Sequence, residues 1–345
     1  MIEVIIFGKG YGESILIHIK DKWIVVDSFI EPKSRIPIAL KYLRDNGYDI
    51  EDICGIICTH WDNDHVVGIS QIIEQHSEGL TICLPIVFDD NRFYQYVLFN
   101  SDGAIGSTSE FLEVLRLIKR KKINRLYALS GRELFQKELK DQEVCVKALS
   151  PNDKQFTVFL DSISIPQKGQ TKKHIPLEEN KISVVTYIKT FVDSILLGGD
   201  MENSPDGWES ICSCFFEGKS HVFKVPHHGS ETGYNPVVWV TMVEKPISII
   251  TRFNQKRLPT PEMIKNIAKE SAAVYVVGPL PEKDRNTIRR VKKYGDFNTI
   301  LSMSMIDYDY GYVKLSKSTK EEDWKISTYG AVEAYQHCTE TIQSQ

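Results

Sequence analysis

The chain has 345 residues, 42% hydrophobic and 26% charged, a globular balance that excludes a disordered or fibrous polymer. With 42 Lys and Arg against 46 Asp and Glu the net charge is −4, so bulk attraction to nucleic acid or anionic lipid is not expected. No apolar run approaches the ~20 residues of a bilayer span, and the 7 scattered cysteines fit a reduced, cytoplasmic chain better than a disulfide framework.

The opening Met1-Ile2-Glu3-Val4-Ile5-Ile6-Phe7 lacks a basic region and a small-residue cleavage signal, and reads as a strand. Residues 2–7, 14–19 and 22–27 are rich in Ile and Val, with Gly8, Gly10 and Gly12 between the first two, and predict a β-meander. Residues 35–46 carry Ile36, Leu40 and Leu43 at helical spacing and stop at Asn46-Gly47. Ile53–Cys58 predicts a buried strand, 65–76 a helix on Val66, Ile69, Ile72 and Ile73, and Phe111–Ile118 a second helix leading into Lys119-Arg120-Lys121-Lys122. Strands are expected near 125–129, 143–149, 182–190, 194–198 and 222–225, and an exposed loop over the polar stretch 152–180. Ile247–Thr251 and Ala273–Val277 predict strands flanking a helix at 261–270, which Thr260-Pro261 opens. Tyr310–Leu315 and Trp324–Ser327 predict a closing hairpin, and 331–345 a short helix or frayed tail. A meander followed by alternating strands and helices, in two blocks meeting near 150–180, predicts an α/β fold: one four-layer α/β/β/α domain over residues 1–330.

The chemistry concentrates in Thr59-His60-Trp61-Asp62-Asn63-Asp64-His65, where 4 ligand-type side chains, His60, Asp62, Asp64 and His65, fall within 6 residues. A strand end fixes the first of them and a helix start the last, so imidazoles and carboxylates can meet at one point. An Asx-rich turn is the plainer reading, but this density of donors favours a metal. Ser194-Ile195-Leu196-Leu197-Gly198-Gly199-Asp200 ends a strand in a carboxylate, and Val222-Phe223-Lys224-Val225-Pro226-His227-His228-Gly229-Ser230 ends another in paired histidines. Each alone is also an ordinary turn. Trp61 can face a substrate ring or shield the site, and Lys224 can meet a phosphate or a surface carboxylate. The basic stretches 119–125 and 285–293 read first as solvated faces.

Together these motifs resemble the metallo-β-lactamase fold superfamily. His60-x-Asp62-x-Asp64-His65 is similar to its H-x-H-x-D-H motif with Asp at the second His. That variant, with Gly199-Asp200 and Lys224-x-x-His227-His228-Gly229-Ser230, resembles the hydrolase domain of ComEC-type DNA-uptake proteins and the phosphorylcholine esterases. Gly10-Tyr11-Gly12-Glu13-Ser14-Ile15-Leu16-Ile17, Val25-Val26-Asp27-Ser28 and Asn180-x-x-Ser183-Val184-Val185 are similar to further family segments. The sequence departs from the pattern at Leu258, where a His is expected, and offers only His174 as a middle metal His between Leu80 and Asp200.

The resemblance implies two divalent ions, zinc or manganese. His60, Asp62 and Asp200 would hold one, and Asp64, His65, Asp200 and His228 the other. Asp64 and His227 would act at the reacting centre, with His227 touching substrate or leaving group, and Asp27 could bond a ligand His from behind. Asp62 makes the set richer in oxygen, which suits manganese as well as zinc. Two ions lowering the pKa of a shared water imply a phosphodiesterase or nuclease acting on nucleic acid or a small nucleotide-like ester, with no membrane partner. The alternative is a metal-binding but catalytically silent recognition module with a protein partner from the same operon, such as a defence system. A β-lactamase or thioester hydrolase fits the Asp62 variant less well.

Overall fold

A computed structural model describes residues 1–101, 107–140, 143–163, 178–285 and 308–336. His174, most of the basic stretch 285–293 and the end of the expected tail lie outside them. The strands, in chain order, are β1 (Ile2–Gly8), β2 (Glu13–Ile19), β3 (Lys22–Val26), β4 (Ile53–Ile57), β5 (Thr81–Pro85), β6 (Asn124–Ala128), β7 (Glu133–Leu134) and β8 (Cys145–Ala148). They continue with β9 (Thr186–Lys189), β10 (Ser194–Leu197), β11 (Ser220–Lys224), β12 (Val243–Thr251), β13 (Ala273–Val277), β14 (Gly311–Lys317), β15 (Lys325–Gly330) and β16 (Val332–Gln336). One sheet has the order β15-β14-β1-β2-β3-β4-β5-β6, the other β16-β13-β12-β11-β10-β9-β8-β7. Each is mixed: the first is antiparallel from β15 to β3 and parallel from β3 to β6, and the second is parallel from β10 to β13 with antiparallel pairs on both sides.

Strand alternation explains the layering. Val4 and Ile6 of β1, Ile24 and Val26 of β3, Ile195 and Leu197 of β10 and Ile249 of β12 meet in one core between the sheets. Their neighbours point outward. Ile5, Phe7, Trp23 and Val25 pack under helices Ile38–Asp45, Ile69–Gln75 and Ser107–Lys121. Leu196, Phe223 and Ile250 pack under Trp208–Ser213, Pro236–Thr241 and Pro261–Glu270. The fold is thus the expected four-layer α/β/β/α sandwich. None of the described helices is long and apolar enough to cross a membrane.

Three local expectations are corrected. The stretch 152–180 is not a continuous loop: Asp153–Ser162 is a helix opened by a reciprocal capping box between Asn152 and Gln155. The expected strand 182–190 is shorter, with a 3₁₀ turn over Glu179–Ile182 and the strand only from Thr186. The stretch 331–345, expected as helix or tail, begins instead with β16, which closes the second sheet against β13. The C-terminal β14 returns to the first sheet beside β1, so the sheets are not simply the two halves of the sequence.

Asp193 joins the sheets. It accepts hydrogen bonds from Lys317 Nζ at 2.8 Å, Trp324 Nε1 at 2.9 Å and His221 Nδ1 at 2.7 Å. Burial pushes its carboxyl up, but the bonds from Lys317 and His221 outweigh this and hold it below the ordinary value. A carboxylate depressed in the folded state adds stability above its unfolded pKa of about 3.9, and that stability disappears as pH falls through the folded value. Asp193→Asn is therefore expected to lower the unfolding midpoint at pH 7 and to flatten the decline below pH ~4. Urea titrations at pH 3, 4 and 7 check this; parallel curves for the two proteins would refute it.

Candidate metal centre

The candidate residues stand at the carboxyl ends of strands, where open α/β sheets gather ligands. Asp27 follows β3, His60 follows β4, Asp200 follows β10 and His228 follows β11. Hydrogen bonds hold these loops against each other, the first of them from one sheet to the other. Val184 N donates to Thr59 O at 3.0 Å, His227 N to Gly199 O at 3.0 Å, and Asp200 N to Ser183 Oγ at 2.9 Å. Gly199 has φ +52°, and a Cβ there would lie 2.5 Å from Ser183 Oγ, so the Gly-Gly-Asp turn needs glycine. His227 and His228 are themselves left-handed, at φ 47° and 55°. Such backbone costs about 1–3 kcal/mol per residue and persists only where its surroundings enforce it.

The helix expected over 65–76 is broken. Asn63–Val66 forms one turn, Gly68 takes φ 105°, and Ile69–Gln75 restarts the helix. Glu110 accepts from Gly68 N at 3.0 Å and Ser70 N at 2.8 Å, satisfying the new start from a neighbouring helix.

Hydrogen bonds set the tautomers of three imidazoles. His65 Nδ1 lies 2.7 Å from Asp27 Oδ2 and donates to it. Thr59 Oγ1 donates to Asp27 Oδ2 at 2.6 Å, so it accepts from His60 Nδ1 at 3.0 Å. Thr251 Oγ1 donates to Glu13 Oε2 at 2.7 Å, so it accepts from His228 Nδ1 at 3.0 Å. Each ring is thus held by Nδ1, which leaves Nε2 for a ligand. His228 Nε2 lies 3.1 Å from Asp64 Oδ2 and 3.5 Å from Asp200 Oδ2; His65 Nε2 lies 3.6 Å from Asp64 Oδ2 and 3.5 Å from Asp200 Oδ1.

The donor set fits a divalent cation. His60 Nε2, His65 Nε2 and Asp200 Oδ1 are buried with no hydrogen-bond partner. A buried orphan is costly, and His65 Nε2 and Asp200 Oδ1, 3.5 Å apart with the His60 ring 4.2 Å from the His65 ring, ask for a shared partner. The charges agree. Glu13, Asp27, Asp64 and Asp200 are buried carboxylates, and Lys224 is the buried ammonium among them, so three negative charges await compensation. Without a cation the histidines supply part of it. Burial opposes their charging, yet Asp200 and Asp64 hold both His65 and His228 above the ordinary imidazole value. His60 is pushed down to about 4, by burial and then by His65, and stays neutral as a ligand must.

Two candidates stand apart. Asp62 is exposed, and its Oδ1 accepts from Asn63 N at 2.7 Å as a helix cap, so the structure does not bring it into the buried group. His227 turns to Asn180 Nδ2 at 3.3 Å, Thr232 Oγ1 at 3.0 Å and Glu202 Oε1 at 3.4 Å. Trp61 is buried against Phe88, Phe93 and Phe159 and anchors the loop in the core instead of facing a substrate. Leu258 sits in a tight loop whose backbone pairs with Phe253, the ring stacked on His228.

Sequence reading missed one device. Lys224, read as a phosphate or surface partner, is fully buried and pairs with Glu13 at 2.5 Å. Glu13 lies 4.0 Å from His65 Nδ1 and 3.8 Å from His228 Nδ1, with a carboxylate oxygen close enough to count among possible metal donors. It approaches both rings from the Nδ1 side, away from Asp64, so it supports the ligands from behind. Lys9 and Tyr11 were also missed, although the charge of Asp64 acts on both. Their glycine-rich setting reads as a turn, and nothing in its spacing points toward residue 64.

A metal-binding α/β/β/α sandwich with its centre at the strand ends is the class of protein these features define. The chain belongs to the metallo-beta-lactamase superfamily, whose family model matches residues 7–236. Among solved structures it is similar to SMB-1, a metallo-β-lactamase bound to 2-mercaptoethanesulfonate, with 15% identity, 65% of this chain and 76% of that chain covered, and a TM-score of 0.38. It is also similar to a Cronobacter sakazakii metallo-β-lactamase with a HARLDQ motif (13% identity, 63% and 76% covered, TM-score 0.35). A third likeness is to the metallo-β-lactamase fold protein YhfI from Bacillus subtilis (12% identity, 65% and 70% covered, TM-score 0.35). No curated protein matches the sequence.

Proposed function

We propose that the chain is a hydrolase of phosphodiesters that uses two divalent ions, zinc or manganese. The observation that carries this is the meeting of His60, Asp64, His65, Asp200 and His228, with three Nε2 atoms presented and carboxylate oxygens 3.1–3.6 Å from two of them. Asp62, exposed in the same loop, completes the proposed ligand set. Bound ions would supply Lewis-acid activation of water and neutralise charge at the phosphoryl group.

The chain's own residues do the rest. Asp27, Thr59, Thr251 and Glu13 hold the rings in one tautomer. Asn180 Nδ2 donates to His227 Nε2 at 3.3 Å, and its second N–H beside that ring can meet a phosphoryl or leaving-group oxygen. Lys9 and Lys256 place positive charge where Asp64 and His227 feel it, which suits an anionic substrate. A nucleic acid or a small nucleotide-like ester meets these demands.

Purified protein with added Mn²⁺ or Zn²⁺ is expected to turn over bis(p-nitrophenyl) phosphate or single-stranded DNA, and Asp64→Ala to lose at least ~100-fold, since even partners behind a ligand are worth 10–100-fold. No turnover of either, with Asp64→Ala indistinguishable from the parent, would end this reading. The exposure of Asp62 favours a second one, a silent recognition module serving a protein partner. One tightly bound ion per chain, counted by elemental analysis, would support it; two would argue for the hydrolase.

A further inference from the structure

A cavity of about 830 Å³ lies on the far side of the metal loop, between helices Asn91–Ser101 and Ser107–Lys121 and the edge strand β6. Its volume falls in the range of small-molecule sites, about 300–1,000 Å³. The floor is apolar: Tyr94, Leu98, Leu112, Leu115, Ile118 and Ile123. Tyr94 and Leu98 are each 43% exposed.

The rim is asymmetric in charge. Arg116, Lys119, Lys122 and Arg125 line it and are exposed. Arg116 pairs with Glu113 at 3.2 Å. The basic run divides: Arg120 pairs with Glu74, and Lys121 donates to His76 O at 2.8 Å, so both turn away toward helix Ile69–Gln75. Lys119, Lys122 and Arg125 remain, with no carboxylate at ion-pair distance among the described residues. At the Phe88 end stand Asp89 and Asp90, both engaged. Asp89 Oδ1 accepts from Tyr127 Oη at 2.9 Å, and Asp90 Oδ1 from Arg92 N at 2.8 Å.

We infer that this cavity binds a small anionic amphiphile. Its aliphatic or aromatic body lies on the Leu-Ile floor, and its carboxylate or phosphate monoester head meets Lys119, Lys122 and Arg125. A nucleic-acid strand fits less well: it carries charge along its whole length, and the opposite end of the cavity presents two carboxylates. The site is separate from the metal centre, although Phe88 lines the cavity and lies 5.1 Å, ring to ring, from Trp61 of the metal loop.

The test is calorimetric titration of the full chain, treated with EDTA so that capture at the metal centre is excluded. Decanoate, decyl phosphate, neutral decyl maltoside, inorganic phosphate and a 20-nucleotide single strand are the probes. One or both anionic amphiphiles are expected to bind, with the maltoside and inorganic phosphate at least tenfold weaker. Lys119→Glu with Arg125→Glu is expected to weaken the anions about tenfold, the sum of a few exposed charge contacts. Both positions are exposed, so the thermal midpoint should not move; if it does, Lys119→Met with Lys122→Met serves the same purpose. Leu115→Gln should weaken head and body analogues alike. Equal binding of charged and neutral amphiphiles, unchanged binding by both charge variants, no binding at all, or binding of the oligonucleotide alone would overturn the inference.

Discussion

Asp200→Asn is expected to abolish tight binding of divalent metal and to reduce metal-dependent hydrolysis by about a thousandfold or more, beyond the 10–100-fold typical of partners behind a ligand. Asp200 is the residue whose two oxygens face different imidazoles, Oδ1 toward His65 at 3.5 Å and Oδ2 toward His228 at 3.5 Å. Asn keeps the shape and removes the charge, so a lost activity cannot be blamed on a hole in the core. The stability readout has a distinctive sign. In the metal-free chain burial pushes the Asp200 carboxyl up, but His228 and His65, with Lys224, outweigh it and hold it well below the ordinary value, so its charge stabilises the fold at neutral pH. Metal-free Asp200→Asn should therefore melt below the parent. Addition of Mn²⁺ or Zn²⁺ should raise the parent's midpoint, by mass action worth about 2.7 kcal/mol at a hundredfold excess over Kd, and leave the variant's where it was. Equal metal shifts in the two proteins would remove Asp200 from the ligand set.

The same residues show how far a sequence can carry such a reading. The 60–65 loop is compact along the chain, and its donors are visible in any window of ten residues. Asp200 and the paired histidines are distant, but each ends an apolar strand, and a strand end is a place that local patterning can identify. The Glu13–Lys224 pair has no such signal. Its members lie on different sheets, and a lone Lys in an apolar strand looks the same whether its head reaches solvent or a buried carboxylate. Where the fold was misread, two true signals competed. Val66, Ile69, Ile72 and Ile73 keep helical period straight through Gly68, because both short helices bury the same face. Asn152 and Gln155 spell a capping box, a local signal that reading 152–180 as one polar stretch passes over. The strand Val332–Gln336 is short and sits at a sheet edge, so half its pattern comes from the partner and not from itself. Asp62 is a separate lesson: one loop position suits both a ligand and an N-cap, spacing favours the ligand, and its Oδ1 accepts from Asn63 N as a cap does.

Lys224→Met is the change expected to harm folding most. The Lys224 ammonium is fully buried, bound to Glu13 at 2.5 Å and near the Gly199 carbonyl at 3.4 Å, and so ties the opening loop of one sheet to the Gly-Gly-Asp turn of the other. Burial drives the Glu13 carboxyl up, and Lys224, followed by His65 and His228, overrides it and keeps the group ionised. Met matches the Lys stem in length and fills its space, so the loss isolates the charge. It leaves a carboxylate in the core beside Asp64, Asp27 and Asp200, and breaking a buried pair in this way costs about 3–5 kcal/mol. Urea denaturation of the metal-free protein should show that loss as a fall in midpoint. Glu13→Gln added to Lys224→Met should restore much of it, because the stranded charge is gone while an amide can still accept from Thr251. If the double variant is no more stable than Lys224→Met alone, the ion pair is not what holds these loops. The restored protein should then separate stability from ligation. With Glu13 neutral, Thr251 keeps its acceptor and His228 its tautomer, so metal affinity should return with the fold; affinity that stays lost would make Glu13 itself a donor to the ion.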